Sequence, residues 1–253
     1  EVLSMDDKNI YGEIIDSLTF RQAIESKPPI LSDYKVVMPI VRNSEFIGLL
    51  NDNQMLDTTI NDKTKILESS FFTSLIAFKK IVNKNLITKT ISFHRSIKRA
   101  KEFRELIKFD NQSDENIHEV IPFHISGKDG PGERSKIIKQ FLNEKYSIIT
   151  NARCLTEGVD IPQIDAILFA DPKKSIVDIV QASGRAFRRY EGKKFGYIII
   201  PLVLDENDNP TDDSFNLISE IVCSLGTVDE RIVDSIKSVI TGNKGKYDEE
   251  LED

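Results

Sequence analysis

Residues 146–189 read YSIITNARCLTEGVDIP (Tyr146–Pro162), QIDAILFADPKKSIVDIV (Gln163–Val180) and QASGRAFRR (Gln181–Arg189). Ser147–Thr150 is a short apolar run that ends in a polar turn containing EGVD. Ala166–Ala170 is a second apolar run, and it leads into a segment with helical spacing from Ser175 to about Ala186, closed by arginines. Runs of this length bounded by turn signals predict buried strands. Gly158 permits a tight turn between them, and Pro162 stops any helix. Strand, turn, strand and basic-ended helix form one unit of an α/β sheet.

The same rhythm extends to both sides. Strands are predicted over Tyr34–Val41 (YKVVMPIV), Thr90–Phe93, Val120–Ile125 and Gly196–Val203. Between them, Ile66–Val82 places Leu67, Phe71, Leu75, Phe78 and Val82 on one helical face. Ile97–Ile107 does the same with Ala100, Phe103, Arg104 and Ile107, and Gly132–Leu142 with Ile137, Ile138, Phe141 and Leu142. Apolar strands alternating with helices predict a mostly parallel sheet sandwiched by helices. Chemistry in such sheets sits at the carboxyl ends of the strands. That places His94-Arg95-Ser96, Ser126-Gly127, Thr150-Asn151 and Asp171 along one rim. Three regions follow: a connector over 1–32 with a helix in SLTFRQAIE ended by Pro28-Pro29, the sheet over 33–204, and an acidic extension over 205–253. In the extension, Leu217, Ile221, Val222 and Leu225, then Val233, Ile236 and Ile240, predict two packing helices before a frayed KGKYDEELED. There is no internal repeat.

The chain has 253 residues and a net charge of −7, with 40% hydrophobic and 30% charged residues, an ordinary globular composition. No apolar run approaches a membrane span, and EVLSMDDKNI has no signal-peptide core. The start without Met suggests a piece of a longer polypeptide. Cys154 and Cys223 make neither a disulfide framework nor a zinc site, which fits a reducing cytoplasm. His94, His118 and His124 have no Cys or second His at ligand spacing, so no metal site is expected. Charge is unevenly distributed. Residues 201–253 hold fourteen acids against four bases, leaving 30 bases against 27 acids in 1–200. The densest basic cluster is Lys173, Lys174, Arg185, Arg188, Arg189, Lys193 and Lys194. A local patch, rather than net charge, is what a phosphate feels within a Debye length of ~8–10 Å.

Four segments in this order carry a resemblance. TISFHRSIKRAKEF, FHISGKDGPGERSKIIKQF, TNARCLTEGVDIP and QASGRAFRR resemble motif IV, the segment after it, motif V and motif VI of superfamily-two helicases, in their second RecA-like domain. TFRQAI…DYKV before them and DERIVD after them look like the bacterial restriction and defence group, the DEAD/DEAH and type III restriction helicases. The resemblance covers about Asp33–Leu204 and implies a RecA-like, P-loop-NTPase-type α/β fold with a small C-terminal helical extension.

It also implies roles. Arg185 and Arg188 match the motif VI arginines that reach an ATP γ-phosphate across a domain cleft, with Arg188 as the arginine finger. A guanidinium that stabilises charge on the γ-oxygens is worth up to ~10³–10⁵ in rate. Gln181, Arg185 and Arg188, at i, i+4 and i+7, are expected on one helical face, and Ile176, Ile179, Val180 and Ser183 on the adjoining inward stripe. Gly184 permits a close approach. Taken alone, the arginines fit a solvated helix end complementing the helix dipole better, and it is motif V in front of them that favours the functional reading. Asp160 matches the motif V carboxylate that touches ribose or couples the site to motif VI, and Gly158 a backbone contact to nucleotide. Thr150 and Ser96 match family contacts to nucleic-acid phosphate, with Arg95 beside Ser96. Asn151, Ser126 and Gly127 are weaker members of that set. Ser96 also suits a helix N-cap.

Two family features are missing from the sequence. There is no GxxxxGK[ST] loop, and no DExH box follows a buried strand. ATP and Mg²⁺ would therefore be held mainly by an upstream RecA-like domain, and this chain alone is expected to hydrolyse ATP negligibly. Motif VI here reads GRAFR in place of the common GRxGR, with Phe187 where Gly often sits. The expectation is the C-terminal domain of an ATP-dependent nucleic-acid helicase or translocase, DNA being favoured by the restriction-like flavour. The rival is a non-catalytic α/β module that binds nucleic acid or protein. A small-molecule Rossmann enzyme is disfavoured because no GxGxxG follows a strand.

Overall fold

The computed structural model describes residues 18–42, 62–111, 117–152, 160–171 and 175–232, with the backbone alone for 62–70. In chain order the elements are α1 (Phe20–Glu25), β1 (Tyr34–Val37), β2 (Ile40–Arg42), α2 (Asp62–Asn83), β3 (Lys89–Phe93), α3 (Ile97–Asp110), β4 (Ile121–His124), α4 (Pro131–Asn143), β5 (Ser147–Asn151), β6 (Ala166–Phe169), α5 (Ile176–Ala186), β7 (Gly196–Ile199), β8 (Leu202–Leu204) and α6 (Asp212–Gly226). Six strands form one sheet in the order β1-β7-β6-β3-β5-β4. Every pairing in it is parallel.

Alternation along the buried strands divides the core between the two faces. Ile149, Ile167, Phe169 and Ile198 point to a core completed by Phe141 of α4, Ile179 of α5 and Leu217, Ile221 and Leu225 of α6. Their neighbours Ile148, Ala166, Leu168 and Ile199 point to the other, completed by Phe71 and Phe78 of α2 and Phe103 and Ile107 of α3. This is the RecA-like three-layer sandwich that the sequence predicts. The first helix of the acidic extension, α6, belongs to the main core. Val233, Ile236, Ile240 and the acidic tail lie outside the described residues.

Three expectations are corrected. Tyr34–Val41 and Gly196–Val203 are each split in two, and β2 pairs with β8 as a separate two-stranded sheet. Val37 faces Ile199 and Ile40 faces Leu202, so the register sets Pro39 opposite Pro201. Neither has an N–H to give, and the ladder breaks there. The inward face of α3 carries Arg99, Ala100, Phe103, Ile107 and Asp110, with Arg104 only half-buried. On α5 the buried stripe is Ile179, Ala182, Ser183, Arg185 and Ala186, while Ile176 is exposed.

Among the described residues, no helix is long and apolar enough to cross a membrane, and no group of three His, Cys, Asp or Glu could hold a metal ion.

Candidate functional site

The end of α5 sets the first half of the site. Phe187 closes the helix in a helical conformation, its N–H donating to Gly184 O at 3.3 Å. Its ring is fully buried, stacked on Tyr34 at 4.1 Å and edge-on to Phe20 at 5.2 Å. Gly196 makes room below, since a Cβ there would stand 2.3 Å from Ala186 O. Gly184 faces the Phe20 ring, 3.6 Å from where its Cβ would be. The Tyr34 hydroxyl donates to Asp229 at 2.9 Å, and Arg231 grips Asp229 at 2.7 Å and Asp33 at 3.1 Å. Burial and the Asp229 carboxylate together raise the Tyr34 hydroxyl far above its ordinary pKa. Asp33 and Tyr34 of the DYKV segment and Asp229 and Arg231 after α6 thus brace motif VI.

Arg188 consequently lies beyond α5, in an isolated antiparallel bridge with Leu31, where Phe187 O accepts from Ser32 N at 2.7 Å. The expected single helical face for Gln181, Arg185 and Arg188 is corrected. Gln181 is exposed, Arg185 is buried at 7% exposure, and Arg188 has left the helix. What the fold brings together instead is Arg188 and Asp160, whose side chains form an ion pair while 36% and 75% exposed. Gly158 and the rest of the motif V turn, with Cys154, Lys173 and Lys174, lie outside the described residues. The basic cluster is only partly a surface patch. Lys193, like Arg185, turns inward, its ammonium donating to the carbonyls of Arg188, Ile164 and Pro162.

The rim at the carboxyl ends of β3, β4, β5 and β6 is the second half. Asp171 accepts from Arg99 Nε at 2.9 Å and pairs with Arg99 Nη2 at 2.7 Å. It also accepts from the Arg95 backbone N–H at 3.2 Å, which fixes the loop entering α3. The Arg99 guanidinium lies 4.0 Å over the Phe71 ring. Burial alone would raise the Asp171 carboxyl, but its partners reverse this and hold it below the usual carboxylate range. His94 Nδ1, at 3.7 Å, is beyond hydrogen-bond reach, so the lowering comes from the Arg99 guanidinium with the Arg95 N–H. Burial lowers His94 itself and keeps it neutral.

Arg95 is exposed, and Ser96 caps α3, its Oγ accepting from Arg99 N at 3.2 Å. Gly127 and Lys128 are exposed on the next loop, above a buried Ser126 whose N–H donates to Asp129 at 2.6 Å. Thr150 and Asn151 are 0% exposed. The Thr150 hydroxyl donates to Phe123 O at 3.3 Å and meets His124 Nδ1 at 3.1 Å. Asn151 Nδ2 donates to Ser92 O at 3.1 Å. In this arrangement both shore up the rim from beneath, and Arg95, Ser96, Gly127 and Lys128 form its surface.

Residues 73–190 match the helicase conserved C-terminal domain model. This segment is a helicase C-terminal domain, consistent with the second RecA-like domain of superfamily-two helicases. A solved ATP-dependent Type ISP restriction-modification enzyme, LlaBIII bound to DNA, is 29% identical over 94% of this chain and 16% of its own, with a TM-score of 0.72. A fragment named as an HsdR subunit of a type I restriction enzyme from Vibrio vulnificus YJ016 shares the fold, with a TM-score of 0.57 and 20% identity over 83% of this chain and 44% of its own. The "Probable helicase A859L" of African swine fever virus (isolate Tick/Malawi/Lil 20-1/1983) is 24% identical across 92% of this chain, which spans 25% of that relative's length. The matched helicase domain contains motif VI, and both arginine–aspartate pairs have their arginine within it.

Proposed function

We propose that this chain is the C-terminal motor half of an ATP-dependent DNA helicase or translocase, completing an ATP site held by an upstream RecA-like domain of the same polypeptide. The observation that carries the reading is the setting of Arg188. The carbonyl of its neighbour Phe187 accepts from Ser32 N, its own carbonyl accepts from Lys193, and its guanidinium faces water with the exposed Asp160 as partner. A planar fork presented this way suits a γ-phosphate. Asp160 holds the fork between turnovers, and the phosphate displaces it when the domains close. Arg185 is beneath the surface and acts through its field, exposed Gln181 faces the nucleotide, and the resemblance gives Gly158 and Asp160 nucleotide contacts as well. ATP supplies the driving phosphoryl transfer, and Mg²⁺ falls to the upstream domain.

Arg95, Ser96, Gly127 and Lys128 form the track for one strand, with Ser126, Thr150 and Asn151 supporting them. Contacts of this type grip backbone phosphates and are nearly blind to sequence. DNA is favoured over RNA by the likeness to LlaBIII, which was solved on DNA.

The test is ATP hydrolysis by the full polypeptide, with and without single-stranded DNA, for wild type and Arg188→Ala. Collapse of hydrolysis with ATP binding retained supports the reading. Unchanged hydrolysis removes the finger and puts the non-catalytic binding module in its place.

A further inference from the structure

We infer that Lys193 is a positioning residue for Arg188, a three-way clamp that fixes the arginine against the segment bearing Asp160. The inference rests on the reading of Arg188 as the group that meets a phosphate. Lys193 follows directly on a reverse turn closed by its own N–H to Tyr190 O at 3.1 Å. Gly192 makes that turn with φ +79, a conformation that suits glycine. The turn directs the side chain back beneath motif VI.

There Nζ donates to Arg188 O at 2.6 Å, Ile164 O at 2.7 Å and Pro162 O at 3.3 Å. An ammonium has three N–H donors and no acceptor, so three converging carbonyls satisfy it completely. Two of those carbonyls belong to the segment running from Asp160 into β6, and the third belongs to Arg188. Asp160 and Arg188 are 28 residues apart in the chain. One cation therefore joins the backbones on which the two partners ride. The planar fork of an arginine cannot point at three carbonyls in this geometry, and a neutral side chain cannot supply three donors.

The charged groups facing Lys193 are Asp165, on the approach to β6, and Arg188, after α5. Burial pushes the ammonium down to about 8; Asp165 opposes that, and Arg188 adds to it. Above this pH the amine has two N–H groups for three carbonyls, and one strut is lost.

The experiment follows the Arg188 Cζ and Nε NMR shifts of this chain from neutral pH to about pH 10. Wild type is expected to inflect near pH 8. In Lys193→Gln the inflection disappears. Lys193→Arg, which keeps the charge at every pH of the titration but cannot reach all three carbonyls, gives no inflection, and its shifts are displaced from the wild-type neutral-pH position. A flat wild type, or an inflection that survives in Lys193→Arg, overturns the inference. In the full polypeptide Lys193→Gln should lower kcat for ATP hydrolysis by roughly 10-fold to 100-fold, with the ATP KM nearly unchanged. Unchanged kcat also overturns it. Intact hydrolysis in Arg188→Ala would instead remove the finger reading, while the NMR titration would still report whether Lys193 governs Arg188.

Discussion

The Arg99–Asp171 pair is bidentate and buried, with side chains 7% and 4% exposed, whereas the Arg188–Asp160 pair faces water, with side chains 36% and 75% exposed. The same two chemical groups meet in both. In the first, each charge has given up its hydration, and neither can part from the other cheaply. In the second, water screens both, and the pair can open at little cost. On the proposed reading a motor needs one of each kind: Asp171 to hold the loop of Arg95 and Ser96 rigid against a strand under load, and Arg188 to exchange partners in every cycle.

The largest effect expected from breaking this contrast is at Arg188. Arg188→Ala should lower ATP turnover of the full polypeptide by ~10³–10⁵ while leaving the urea-measured stability of this chain within about 1 kcal/mol of wild type. A large loss of stability would show that Arg188 is a fixed strut like Arg99.

Next comes the buried pair. Arg99→Met alone leaves Asp171 charged and unpaired, and should cost about 3–5 kcal/mol in urea unfolding. Arg99→Met with Asp171→Leu should recover most of that, since an apolar pair replaces an ionic one. A cost below about 1 kcal/mol for the single change would place both pairs in one class. The pH dependence follows from the lowered Asp171 carboxyl. Its contribution is complete above the ordinary carboxylate pKa and is lost as pH falls through the lower folded value. The stability gap between wild type and Asp171→Asn should therefore narrow in acid and be widest near neutrality.

The contrast between the two pairs was only half legible in the sequence. The sheet was legible because buried parallel strands are near-continuous apolar runs, and motifs V and VI because their residues are adjacent in sequence. The break at Pro39 and Pro201 was not, since their opposition exists only once β1 lies beside β7. Helical spacing admitted Arg188 to the face of Gln181 and Arg185. What ends α5 is the burial of Phe187 against Tyr34 and Phe20, both remote in sequence, over a gap left by Gly196. Arg104 fitted the inward face of α3 as well as Arg99 did. The choice was made by Asp171, 72 residues away. Lys193 read as one more surface base, and the Gly192 before it was the only local sign of a chain reversal.

The smallest effect expected is at Asp160, and it is the sharpest probe of the contrast. Asp160→Asn keeps the shape and removes the charge facing Arg188. An exposed pair of this kind is worth about 0–1 kcal/mol, and salt near ~0.15 M screens it further. Urea unfolding of this chain should therefore shift by no more than that. The consequence appears at the guanidinium, which loses its resting partner and becomes more open to a competing anion. The Arg188 NMR shifts in Asp160→Asn should then respond to lower concentrations of inorganic pyrophosphate than in wild type, and the difference should shrink as salt is raised. If Asp160→Asn instead destabilises the chain as strongly as Arg99→Met, or leaves the anion response unchanged, the exposed pair is a structural brace and Arg188 does not exchange partners.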